Sequence, residues 1–322
     1  MTGPAASAPH VIAIVGAGLV GSGWALVFAR AGLRVQVYDP VAEVRARILP
    51  WARESAGAMA AVGLIDDVKA VLARLHVVDT LEAALDGATY VQESVFERVE
   101  VKTDICRAID ALMAPHAIVG SSSSGIPASR FTEGCTHRGR FLIAHPVNPP
   151  HLAPVVELVP APWTDAEALE GARALMHAVG QVPVMLTREI DGFILNRLQG
   201  ALLNEAWALY DEGYASLADI DATIAHGLGL RWAFMGPFET IDLNAPGGLA
   251  DYCARYGGLY QSIGASQREP VPWDGALVEA LAAERRGLLP AEDLTARRYW
   301  RDEQLMRLMR HKQQQDNGDE NG

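Results

Sequence analysis

The chain has 322 residues, half hydrophobic and a fifth charged, a balance that excludes wholesale disorder, a collagen-like fibre and a small disulfide scaffold. At roughly 150 residues per domain this length allows about two domains. Lys and Arg total 27 against 39 Asp and Glu, a formal charge of −12, and so acidic a chain repels both a nucleic-acid backbone and an anionic membrane.

Cys106, Cys135 and Cys253 are odd in number and far apart, with no CxxC or metal-ligand spacing, so reduced thiols, a cytoplasmic setting and no metal are expected. The opening MTGPAASAPH has no basic region of the signal-peptide kind, and no stretch of about 18 apolar residues suggests a membrane span.

Residues 11–16, VIAIVG, form a continuous apolar run of the kind buried on both faces of a sheet. A glycine-rich turn, a helical WALVFARAG and an alternating LRVQVYD (33–39) follow. Strand, helix and strand in about 30 residues make a βαβ unit and hence a parallel sheet. An Ala-rich helical stretch (41–74), LHVVD (75–79), ATYVQES (88–94), a helix over 100–113 and AIVGSS (117–122) continue the pattern. RFLIAHPV (140–147) and PVVELV (154–159) are strands joined by a turn that Pro149 and Pro150 enforce. Thr164 and Glu167 read as a capping box opening a helix to about Ala178, and QVPVMLT (181–187) is a last strand. Beyond Asp191-Gly192 only helical spacing persists. The expected fold is therefore α/β: a Rossmann-type doubly wound domain over 8–190, then an all-α domain over 191–310. The polar tail 311–322 is expected to be disordered.

Gly16-Ala17-Gly18-Leu19-Val20-Gly21 fits GxGxxG. The motif alone is common, but here it follows a buried strand, opens a helix, and has Asp39 at the end of the next strand, 18 residues after the last glycine. Gly16 permits the tight turn, Gly18 lets backbone approach a pyrophosphate, and Gly21 lets helix and strand pack closely. The helix start at Leu19 and Val20 supplies N–H groups and positive potential. Asp39 would accept from the ribose hydroxyls and repel a 2′-phosphate, so the expected cofactor is NAD, not NADP.

His145 ends one predicted strand and Glu157 lies in the next. Twelve residues of extended chain span about 40 Å, so only the Pro149-Pro150 reversal brings the two together. A histidine oriented by a carboxylate is a general base suited to removing a hydroxyl proton during alcohol oxidation. A structural salt bridge explains the same spacing equally well, and His151, in the turn, competes for the role.

GAGLVGSGWA, AHPVNPP with the later VVELV, DGFILNRL and MGPFE together resemble the 3-hydroxyacyl-CoA dehydrogenase superfamily. SSSSGIP, EIDGFILNRLQ, GLGLRWAFMGPFETIDLNA and RRYWRDE extend the resemblance to its lambda-crystallin branch, which includes L-gulonate 3-dehydrogenase, over about residues 10–310. The resemblance implies that His145 is the catalytic base and Glu157 its partner. It implies that Ser124 and Asn196 contact substrate, that Glu97 and Lys102 contact the nicotinamide half of NAD, and that the helical domain forms a homodimer. Without it, Glu97 and Lys102 would read as an ordinary solvated helix-start pair.

The superfamily divides by what the 3-hydroxy acid carries: a CoA thioester, a free sugar-acid carboxylate, or carnitine's carboxylate and trimethylammonium. Arg231, whose planar fork suits a carboxylate, points to a free acid held in the helical domain. The 41–74 region offers Lys69 and several arginines but no clear basic patch for a CoA phosphate. Carnitine dehydrogenases differ at the Asn196 position and lack the VNPP and DLNAP wording. Trp24 and Trp232 could face a quaternary ammonium, though core packing explains each. The expected reaction is thus NAD-dependent oxidation of a 3-hydroxy acid, L-gulonate first, with 3-hydroxybutyryl-CoA and carnitine as alternatives. A crystallin-like structural protein or an NAD(H)-binding sensor would need only the nucleotide cradle, not His145, Glu157, Ser124 and Asn196 together.

Overall fold

The computed structural model describes residues 11–319 apart from 268 and 271, with side chains described through 315; the N-terminal decapeptide read above lies outside the described residues. Contacts divide the chain into two units, one running to Asn196 and resuming at Arg298, the other spanning Arg197–Arg297.

The first unit is built on an eight-stranded sheet: β1 (Val11–Val15), β2 (Arg34–Tyr38), β3 (Leu75–Val77), β4 (Ala88–Glu93), β5 (Ile118–Ser121), β6 (Phe141–Pro146), β7 (Val155–Pro160) and β8 (Val182–Met185). Their order is β3-β2-β1-β4-β5-β6-β7-β8; every neighbouring pair is parallel except β6 with β7. Ile12 and Ile14 enter one core, with Trp24, Phe28 and Met176, while Ala13 and Val15 enter a second, with Cys106, Ile109 and Phe131. Helices cover both faces, so β1 has no polar side and its sequence runs apolar without alternation. β1 lies between β2 and β4, where the winding reverses, and ligands of such sheets bind beyond the strands' carboxyl ends there.

The eight predicted strands are all present, and two helical details ahead of the last helix differ. The 41–74 stretch breaks into helices Ala42–Ala61 and Val68–Ala73, because Gly63 turns the chain at φ +77° and Asp67 starts a new helix by accepting from the Ala70 amide at 3.0 Å. Thr164 forms no capping box: its hydroxyl donates to the Phe141 carbonyl and accepts from the Ala161 amide, and the next helix begins at Ala166 after Asp165.

The last helix, Leu294–Asp319, corrects two expectations. From Arg298 onward it belongs to the first unit, with Met306 buried in the main core beside Leu305 and Met309. The tail expected to be disordered continues this helix through Asp319. Once a packed turn provides the nucleus, each further residue adds a hydrogen bond without repeating the nucleation cost, even where the side chains are polar.

The second unit is helical among the described residues: the body of Leu195–Asp211, then Leu217–Thr223, Gly229–Trp232, Pro237–Asp242, Gly248–Ser266 and Gly275–Leu288. No helix among the described residues is long and apolar enough to cross a membrane.

Candidate active site

Gly16 adopts φ +91°, and a Cβ there would lie 2.7 Å from the Ser94 backbone. At Gly21 a Cβ would lie 1.9 Å from the Gly16 carbonyl oxygen. Neither position accepts a side chain. A Cβ on Gly18 would meet nothing within 4 Å, so backbone there borders open space. Gly18 caps the Leu19–Arg30 helix without any side-chain bond to its first amides, which leaves N–H groups and the positive helix end for an anion. Asp39 stands half-buried beside the loop; one carboxylate oxygen accepts from the Ala17 amide and the other from Val41, each at 2.9 Å. Each oxygen keeps a further lone pair for a hydroxyl donor. The cradle thus fits a dinucleotide, and Asp39 also braces the loop, a tie the motif does not reveal.

Ser121–Gly125 follow from β5 and rest on a buried ionic cluster. Glu93, at the end of β4, and Lys102, in the helix Val99–Leu112, are both fully buried. The ammonium donates to both Glu93 oxygens at 3.1 and 3.2 Å and lies 3.5 Å from Glu97. Glu93 also accepts from the Ser121 hydroxyl and the Val95 amide. Glu97 accepts from the Ser123 hydroxyl and from the amides of Ser124 and Gly125. Burial pushes the Glu97 carboxyl up, but the Ser123 hydroxyl, Lys102 and the two amides outweigh it and hold it below its ordinary value. Lys102 is therefore no solvated helix-start charge, and its ammonium is engaged by two carboxylates. Ser124 is exposed, whereas Ser123 is buried.

The β6–β7 hairpin, with its turn at Pro149 and Pro150, sets His145 directly opposite Glu157. His145 Nδ1 lies 2.7 Å from Glu157 Oε2, both side chains being buried. The other Glu157 oxygen accepts from the amides of Ile194 and Leu195 at the start of the Leu195–Asp211 helix, where positive potential favours a carboxylate. Gly192 at φ +75° and Phe193 at φ +51° lead into those amides. A positive φ on a bulky residue costs on the order of 1–3 kcal/mol, and the Phe193 ring, fully buried 5.5 Å from the His145 ring, holds it there. Asn196, one residue farther, donates to the Ser124 carbonyl. His145, Glu157, Ser124 and Asn196 are thus joined within one unit by short links.

His151 belongs elsewhere. It packs edge-on to Trp51 against the Leu19–Arg30 helix, with a Cβ on Gly23 falling 3.2 Å from its Nδ1. Burial and the nearby Arg30 charge push its ring down to about 4, with Asp302 opposing. Trp24 is core, stacked on Phe28. Arg231 and Trp232 lie exposed in the second unit. Sequence reasoning missed Glu93, Ser121 and Ser123. The available signal was a charged residue ending the otherwise buried ATYVQE strand.

The 3-hydroxyacyl-CoA dehydrogenase NAD binding domain model matches residues 11–190, and the family's C-terminal domain model matches 192–287. The lambda-crystallin homolog of Bos taurus is 42% identical over 321 residues, covering 98% of this chain and 99% of the relative. An L-carnitine dehydrogenase of Streptomyces coelicolor is 34% identical over 305 residues, covering 89% and 95%. Among solved structures, a 5-formyl-3-hydroxy-2-methylpyridine 4-carboxylic acid 5-dehydrogenase, described as an NAD+-dependent dismutase, superposes with TM-score 0.82 at 28% identity, covering 94% of this chain and 97% of that one. Matched over both units, with a dinucleotide cradle at the winding reversal, the chain belongs to the 3-hydroxyacyl-CoA dehydrogenase family and is an NAD-dependent oxidoreductase.

Proposed function

We propose that the chain oxidises the 3-hydroxyl of a free 3-hydroxy acid, L-gulonate first, with His145 as general base. The observation that carries this reading is the buried 2.7 Å contact between His145 Nδ1 and a Glu157 carboxylate that two backbone amides fix from behind. A carboxylate takes the Nδ1 proton as a hydrogen bond, so the Nε2 lone pair is the one offered to a substrate hydroxyl. Ser124 and Asn196 hold the reacting oxygen through neutral donors as it becomes a carbonyl. Gly16, Gly18, Leu19, Val20 and Gly21 hold the pyrophosphate of NAD and Asp39 its ribose, with Glu97 and Lys102 on the nicotinamide side. Bound there, NAD supplies the hydride acceptor.

Arg231 supports the free acid: it is exposed in the helical unit and presents a planar fork for a carboxylate. The test is NADH formation across L-gulonate, both 3-hydroxybutyrate enantiomers, carnitine and 3-hydroxybutyryl-CoA, with NADP as control. Arg231→Met should raise KM for the preferred free acid about tenfold or more, the effect of losing about 1.4 kcal/mol of binding, and leave NAD affinity unchanged. An unaltered KM, or preference for the thioester, removes the carboxylate anchor; binding of NAD without turnover of any panel member favours the structural or sensing alternative.

The assembly we propose is a homodimer through the helical unit. Leu230, Phe238, Leu243, Leu259 and Tyr260 are all more than half exposed there in the single chain, and large apolar side chains left exposed are what a subunit interface would cover. Sedimentation velocity at micromolar concentration should give twice the chain mass; a monomer would refute it. Its three free cysteines, two of them buried, suit the reducing cytoplasm in which we place it.

A further inference from the structure

We propose that Glu93, which no expected role uses, is a positioning residue that sets Asn196 through Lys102, Glu97 and a single peptide group. This inference rests on reading Ser124 and Asn196 as the holders of the substrate oxygen. Glu93 is anchored at a fixed place in the sheet: it pairs in register with Ser121 on β5, accepts that hydroxyl, and accepts the Val95 amide. Lys102 donates to both of its oxygens and extends toward Glu97 Oε2 at 3.5 Å. Glu97 in turn accepts at its other oxygen from Ser123 Oγ, Ser124 N and Gly125 N at 2.8, 2.8 and 3.1 Å.

The last of these contacts decides the matter. The Gly125 N–H and the Ser124 C=O belong to one peptide group, and that carbonyl accepts the Asn196 amide. One planar unit is therefore gripped by Glu97 on its nitrogen side and by Asn196 on its oxygen side, and rotation at one end rotates the other. A fully buried lysine–glutamate pair is a poor source of stability compared with apolar packing. Placed here, it fixes where Glu97 lies, and with it the peptide on which Asn196 rests. Small misplacements of a group that holds reacting atoms cost rate more than affinity.

The test is Glu93→Gln, which keeps the shape of the side chain, removes the charge that shares Lys102 with Glu97, and leaves one accepting oxygen where Lys102 now donates to two. In folded protein, counted by NADH-binding stoichiometry, kcat on the preferred panel substrate should fall about 10- to 100-fold, while Kd for NADH stays within about threefold. The decisive arm is a double-mutant cycle: in an Asn196→Ala background, Glu93→Gln should lose most of its effect, since both act through the same tie. A merely structural role lowers the melting temperature and leaves kcat per folded site intact, which would overturn the proposal. So would a full Glu93→Gln penalty persisting in the Asn196→Ala background. If Asn196→Ala alone leaves kcat unchanged, the oxygen-holding reading fails first and the relay falls with it. Should Glu93→Gln not fold, Glu93→Asp, which keeps the charge but draws it back from Lys102 by one methylene, goes through the same cycle with the same outcomes.

Discussion

His145→Ala should lower kcat by about 10²–10⁴-fold, the usual contribution of a positioned general base, with NADH affinity unchanged. The two halves of this result come from different parts of the sheet. His145 lies on β6, whereas the cradle is the turn after β1 and the carboxylate at the end of β2. Removing the imidazole takes one of the three hydrogen bonds from Glu157 and leaves the two amides of Ile194 and Leu195 in place, so the variant should fold with a lowered melting temperature. The residual rate should climb with pH, because solvent hydroxide can take the proton that the imidazole no longer accepts. Steady-state NADH formation and a fluorescence titration of bound NADH check both halves. Activity within tenfold of the parent would show that His145 is not the base.

The strands were legible because a parallel sheet covered on both faces favours continuous apolar runs, and β1 spells that out. The cradle was legible because Gly16 and Gly21 occupy positions where any side chain would collide with backbone. Spacing alone could not choose a partner for Glu157, since it allowed His151 as well; the antiparallel register sets His145 opposite Glu157. What stayed hidden depends on tertiary contacts with no periodic signature. Lys102 follows a helix start like many solvated lysines, yet Glu93 and Glu97 bury its charge. Met306 and its neighbours look like part of a helical domain, yet Met306 is buried in the core of the first unit, and the same helix brings Arg310 beside Gly63, about 250 residues earlier. Thr164 and Glu167 carry the letters of a capping box, but the hydroxyl finds the Phe141 carbonyl first. Each of these is a local pattern overruled by a partner that the pattern does not contain.

Glu157→Gln should inactivate the enzyme almost as completely as His145→Ala, by about 10²–10⁴-fold in kcat, although it changes one oxygen to an NH2 group. Glu157 accepts at both ends: His145 on Oε2, Ile194 and Leu195 on Oε1. The backbone amides can only donate, so the glutamine must turn its carbonyl oxygen to them and its NH2 to the histidine. His145 Nδ1 then has to accept, the ring proton moves to Nε2, and the atom that would remove the substrate proton already carries one. Stability gives an independent reading of the same contacts. Burial pushes the Glu157 carboxyl up, but the His145 bond and the amides of Leu195 and Ile194 prevail and hold it below its ordinary 4.5. A carboxyl depressed in the folded state stabilises above its unfolded pKa, and that contribution is lost as pH falls through the folded one. The parent should therefore lose melting temperature below about pH 4.5 more steeply than Glu157→Gln, in which this group no longer titrates. The double variant His145→Ala/Glu157→Gln should be no slower than His145→Ala alone, since the carboxylate acts only through the imidazole. A Glu157→Gln enzyme within tenfold of the parent would reduce Glu157 to a brace for the turn at Phe193 and leave the tautomer of His145 to another partner.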